Sequence, residues 1–79
     1  MSLHVDIITP ERNLYSGTAT AVQRPGAEGL FQILAGHAPI MAALSSGRVK
    51  IDTAKGSEFV AIEGGVVEVS GNTVTVLAK

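Results

Sequence analysis

Cysteine and tryptophan are absent from this chain of 79 residues, and charge of either sign is scarce. Without cysteine there can be no disulfide, thiolate zinc site, iron–sulfur cluster or cysteine nucleophile. The two histidines, His4 and His37, are too few for a histidine-rich metal centre. Six basic and seven acidic residues leave a net charge of −1, spread without blocks. A nucleic-acid binder needs a basic face to neutralise phosphates, and no such face is encoded. The aromatics are only Tyr15, Phe31 and Phe59, too sparse for a base-stacking platform. The longest apolar stretch, Ala38 to Leu44, contains Pro39 and is far short of a membrane span. The N-terminus has no basic segment followed by an apolar run, as a signal peptide would. A single soluble, cytoplasmic domain over residues 1–79 is expected, without a nucleic-acid partner. A chain this short buries only about 60% of its unfolded surface. Partner proteins are therefore the expected source of extra stability.

Glycine, by contrast, is plentiful at nine residues, and it sets the rhythm. Turn signals at Gly17, Gly26 to Gly29, Gly36, Gly47, Gly56, Gly64–Gly65 and Gly71 separate short segments. Such punctuation predicts an all-β sandwich or barrel. Val5 to Ile8 opens a strand that stops at Pro10, because proline cannot donate to a ladder. Thr18 to Gln23 has strand length, with Thr18, Thr20 and Val22 on one face. Arg48 to Asp52 alternates polar and apolar residues, turning Val49 and Ile51 to the core. Asn72 to Leu77 does likewise with Val74 and Val76. Two hairpins follow: Thr53 to Ser57 joins the Arg48 strand to Glu58–Ile62, and Ser70-Gly71-Asn72 joins Val66–Val69 to the last strand. In the second, Gly71 or Asn72 takes positive φ. Pro39 to Leu44 could form a helical turn or a short strand. No useful amphipathic helix and no internal repeat is present.

Catalytic constellations come up short. No serine has the Gly-x-Ser-x-Gly context of a nucleophile elbow. Lys55-Gly56-Ser57 has the wrong order for a phosphate loop and leads into a strand. Gly26-Ala27-Glu28-Gly29 is glycine-rich, but no helix N-terminus follows to hold an anion. Glu63 and Glu68 lie near the double glycine, yet strand alternation scatters the acids among faces. His37, in a loop between Gly36 and Ala38-Pro39, reads as a residue that fixes the loop or meets a partner. No catalytic, cofactor-binding or metal-ligating residue is assigned. What stands out is the run from Leu30 to Leu44, fifteen residues with His37 as the one ionisable group. Phe31, Ile33 and Leu44 suit a core. Leu30, Ile40 and Met41 flank turn residues, and exposed apolar patches beside loops mark protein contacts.

The segment Glu28-Gly29-Leu30-Phe31-Gln32-Ile33-Leu34-Ala35-Gly36-His37-Ala38-Pro39 resembles the Glu-Gly-x-Phe-Gly-Ile-Leu-Pro-Gly-His-Ala-Pro signature of ATP synthase epsilon subunits. Three further blocks look like the family in the right order. Val5 to Glu11 with Leu14 to Gly17 resembles its opening strand and turn. Gly64 to Val69 and Asn72 to Ala78 resemble its closing hairpin. The resemblance covers almost the whole chain. It implies the N-terminal domain of that subunit, a sandwich of about ten strands in two antiparallel sheets.

The resemblance further implies a non-catalytic part of the F-type, proton-translocating ATP synthase. In the central stalk it would be bound to the gamma subunit and rest on the c-ring, coupling rotation of the ring to the stalk. It would lie at the cytoplasmic face of the membrane, peripheral, touching the membrane only through the complex. Carried over by position, Glu28, Gly29 and Leu30 with His37, Ala38, Pro39, Ile40 and Met41 match the surface facing the c-ring. Leu30 replaces a commonly acidic or polar residue; Gln32 stands where glycine is usual, and Ala35 where proline is. One sandwich face, including parts of the closing hairpin, is expected to meet gamma. Typical members continue beyond the position of Ala78 into two C-terminal helices that inhibit ATP hydrolysis. This chain, as a short form or an excised domain, is expected to bind no nucleotide through them, and no cofactor. A runner-up reading is a biotinyl or lipoyl carrier domain modified at Lys55, although Ala54 and Gly56 replace the usual neighbours. A free-standing ligand-binding sandwich would need a ligand-sized apolar pocket.

Overall fold

The computed structural model describes residues 2–26, 29–34 and 39–79, and the backbone alone at residues 26 and 29–34. Nine strands and no helix are found among them: β1 (Leu3–Ile8), β2 (Asn13–Ala19), β3 (Ala21–Gly26), β4 (Gly29–Leu34), β5 (Ile40–Leu44), β6 (Gly47–Thr53), β7 (Gly56–Ile62), β8 (Gly65–Ser70) and β9 (Thr73–Ala78). Hydrogen bonding links them in the order β2-β1-β9-β8-β5-β3-β6-β7, with β4 on the other side of β3. The joint between β5 and β3 is one residue pair, Gly26 with Leu44. It divides the ladder into two layers, β2-β1-β9-β8-β5 and β4-β3-β6-β7.

Strand alternation turns one face of each layer inward. Leu3, Val5 and Ile7 of β1, Val67 and Val69 of β8, and Val74 and Val76 of β9 are buried from the first layer. Val22, Val49, Ile51 and Ile62 meet them from the second, in one buried cluster. The inward placement of Val49, Ile51, Val74 and Val76 matches the alternation expected of their strands. Leu44 is also in this core; the side chains of Phe31 and Ile33 lie outside the described residues.

Three features differ from the sequence expectation. The strands among the described residues number nine rather than about ten. One pairing is parallel: β1 lies beside β9 in the register Val5–Val74 and Ile7–Val76. A parallel pair needs a long crossover, and here the whole intervening chain provides it. The third difference lies at Thr20. Thr18 to Gln23 is not one strand, because β2 ends at Ala19 and β3 begins at Ala21, in the other layer. The Thr20 N–H and hydroxyl both donate to the Asp52 carbonyl, at 2.7 and 3.1 Å, and pin the corner. The faces reset there, so Val22 is buried while Thr18 and Thr20 are exposed.

The remaining turns follow their residue chemistry. Ala54 and Lys55 form the two-residue tip between β6 and β7, and Thr53 pairs with Gly56 below it. Between β8 and β9, Gly71 takes φ +59°, which a glycine adopts at no steric cost, and no other residue type among those described has positive φ. Pro39 lies outside the strands, and the ambiguous segment after it forms β5.

Candidate functional site

β5 carries Ile40 and Met41 of the predicted ring-facing group. It pairs with β8, so that Ile40 opposes Val69, Met41 opposes Glu68 and Ala43 opposes Val66. Ile40 is half-buried and packs on the core. Met41 points the other way and is 69% exposed; Pro39 before it is exposed too. Gly29 and Leu30 open β4, where they pair with Gly26 and Pro25 of β3. Gly26 pairs in turn with Leu44. The backbone therefore brings the start of β4 and the end of β5 to the junction of the two layers. Glu28, His37 and Ala38 lie outside the described residues.

The outer face of the first layer extends this surface. Ala43, Val66 and Leu77 are successive partners across β5, β8 and β9, and Ile8 of β1 follows Leu77. Leu77 is 54% exposed and Val66 is also exposed, although both are large and apolar. One row of four apolar side chains thus crosses the sheet, with Met41 beside it. The next row reads Met41, Glu68, Thr75, Asp6 and Ser16. It is polar after its first member, and Ser16 donates to Asp6 at 2.7 Å. An apolar stripe bordered by polar groups is the anatomy of a protein contact. The sequence carries a signal for Leu77 and Val66 in its alternation. If Val76 and Val67 face the core, their neighbours must face out.

Two ionisable groups have altered environments. Tyr15, on the edge strand β2, has a phenol raised above its ordinary pKa, first by burial and then by the charge of Glu58 and a hydrogen bond to it. Glu58 belongs to β7 of the other layer, so this influence on the phenol acts between the two layers. Arg24 is 2% exposed, and desolvation lowers its guanidinium pKa. It is not isolated, yet its Nε and Nη1 are enclosed without a hydrogen bond. Alternation from Val22 carries Arg24 to the inward face, whereas its residue type by itself reads as solvated.

Among the described residues no cluster of three or more potential metal ligands occurs, and no helix is long and apolar enough to cross a membrane. Lys55 is exposed at its hairpin tip. Beside it an open cleft of about 440 Å³, lined in part by Thr18, Thr20, Thr53 and Glu58, lies at the sheet edges rather than within the buried cluster.

The comparisons with known proteins agree with this geometry. Residues 2–79 match the sequence model of the family described as ATP synthase, Delta/Epsilon chain, beta-sandwich domain. The ATP synthase epsilon chain of Chlorobium limicola is 47% identical over 76 residues, which span 95% of this chain and 86% of that one. The epsilon chain of Caulobacter vibrioides is 42% identical over 77 residues, 98% and 90% of the two chains. Among solved structures, a chain in the Euglena gracilis mitochondrial ATP synthase, OSCP/F1/c-ring, superposes with a TM-score of 0.89 at 19% identity. That likeness is one of fold; it covers 98% of this chain, which spans half the length of the other. A sandwich with an apolar outer stripe and 42–47% identity to epsilon chains along nearly its whole length leads to one conclusion: the chain belongs to the ATP synthase epsilon-chain family, a non-catalytic subunit of that complex.

Proposed function

We propose that this chain acts in the central stalk of an F-type ATP synthase, as a rigid connector between the proton-driven c-ring and the gamma subunit. The carrying observation is the apolar row Ala43, Val66, Leu77 and Ile8 on the outer face of the first layer, in a chain of this family. The row includes the closing hairpin and supplies the gamma-facing surface. Glu28, Gly29, Leu30, His37, Ala38, Pro39, Ile40 and Met41 are the residues proposed to meet the ring. Coupling asks the domain to pass torque without yielding. A close-packed interior has low compressibility, so it transmits strain rather than absorbing it. The connector lies at the cytoplasmic face of the membrane, held there by its partners.

The test is a titration of the chain against purified gamma subunit, followed by size exclusion. A one-to-one complex is expected. Leu77→Asp should weaken it by roughly tenfold or more, as loss of a buried apolar anchor does. Met41→Asp should leave gamma binding intact and lower assembly with the c-ring. Both variants should unfold at nearly the parent midpoint, since exposed positions away from caps and turns change stability by about 0.5 kcal/mol or less. Full gamma affinity in Leu77→Asp would remove the outer row from the interface.

A further inference from the structure

The second layer has an outer face of its own, and its chemistry differs from that of the first. Gln23, Lys50 and Phe59 form a row across β3, β6 and β7. Arg48 stands two residues before Lys50 on the same face, and its guanidinium lies 4.8 Å from the centroid of the Phe59 ring. These four side chains line a groove of about 270 Å³. Stacking on the ring occupies one face of the guanidinium and leaves the N–H donors at its rim. Those donors suit the two oxygens of a carboxylate. Among the described residues no carboxylate lies within ion-pair distance of Arg48. The nearest acid to Lys50 is Asp52, at a long 3.9 Å.

We infer that this groove is a docking site for an acidic protein segment. Charge complementarity selects the occupant. Two cations two residues apart on a strand stand about 7 Å from one another. That spacing fits carboxylates at alternate positions of an extended segment. The face is too weakly basic for nucleic acid, because Asp52 on the same strand offsets part of its charge. The Phe59 ring, already covered by Arg48, adds apolar contact rather than a free stacking surface. This face is distinct from the apolar row assigned to gamma, so a segment docked here could bind at the same time as that partner.

The experiment uses the isotope-labelled 79-residue chain and two peptides, one alternating Glu with Ala and one alternating Lys with Ala. Amide chemical shifts are followed by NMR at low salt. The acidic peptide should move amides of β6, β7 and the Gln23 region of β3 in a saturable way, and the basic peptide should not. The double variant R48Q/K50Q should bind at least roughly tenfold more weakly with its spectrum still dispersed. Arg48→Lys, which keeps the charge and loses the fork, should fall between the two. Binding should vanish near about 1 M salt, where the screening length is about 3 Å. Unchanged shifts in R48Q/K50Q, equal shifts with the basic peptide, or no shifts at all would each overturn the proposal. So would shifts seen only with phosphatidylglycerol vesicles, which would assign the face to a lipid surface.

Discussion

Tyr15 shows how one residue ties two layers together. Its ring lies over Gly17, where a Cβ would come within 3.0 Å of the phenol oxygen. A larger residue at 17 would push the ring away from its carboxylate partner. The phenol pKa is raised, first by burial and then by Glu58. The folded chain therefore holds the Tyr15 proton more tightly than the unfolded chain does. The resulting stability is fully present below the unfolded value of about 10. It is lost as pH rises through the folded value above it. Denaturation midpoints of the parent chain should fall more steeply above about pH 10 than those of Tyr15→Phe. Parallel curves for the two proteins would show that the Glu58 contact does not bias the titration. Arg24 illustrates the opposite case, a charge whose burial lowers its pKa and leaves two nitrogens enclosed.

At the scale of elements, β8 is constrained from both sides. It pairs with β9 on one side and β5 on the other, and Gly65 is the residue where both ladders begin, opposite Ala78 and Leu44. Gly65 has φ +142°, and a Cβ there would run into the Leu77 carbonyl. The chain arrives from β7 in the other layer, so this glycine is what lets it swing across and pair at once. Gly65→Ala forces strain and an opened ladder together. A loss of about 1–3 kcal/mol is expected from the backbone strain, read as a lower urea midpoint. Gly56→Ala makes a useful contrast, since nothing lies within 4 Å of its Cβ position. It should report the conformational cost alone, and an equal loss in the two variants would deny any special role to the Leu77 contact. The same hairpin presents Val66 and Leu77 outward, so any repair that shifts it also shifts the proposed gamma surface.

The sandwich is closed by two strands far apart in the sequence. β1 and β9 lie side by side in the middle of the first layer, the first and last strands of the chain. Their pairing brings together residues some seventy positions apart, such as Val5 and Val74. Contacts this distant in sequence slow folding, because the entropy of closing the loop precedes the reward. β9 also contributes Val74, Val76 and Ala78 to the core. A chain ending at Asn72 would strip β1 and β8 of their shared neighbour, and it should lack dispersed amide shifts and a cooperative melt. A folded spectrum from that truncation would mean that the remaining strands suffice. The two outer faces finish the design at this scale: an apolar row on one layer and a cationic groove on the other.

What was legible from the sequence was whatever depends on neighbours along the chain. Alternation placed Val49, Ile51, Val74 and Val76 inward, and glycine marked the hairpins at Gly56 and Gly71, because a strand's two faces and a turn's φ are local properties. The linear signature around Glu28 to Pro39 likewise sufficed to suggest the family. Tertiary structure decided where strands change layers. The break at Thr20 depends on the Asp52 carbonyl thirty-two residues away, and no local pattern carries that information. It also decided the parallel union of β1 with β9 and the meeting of Tyr15 with Glu58. Each is a contact between distant segments, and only packing the two layers around one core brings those segments together.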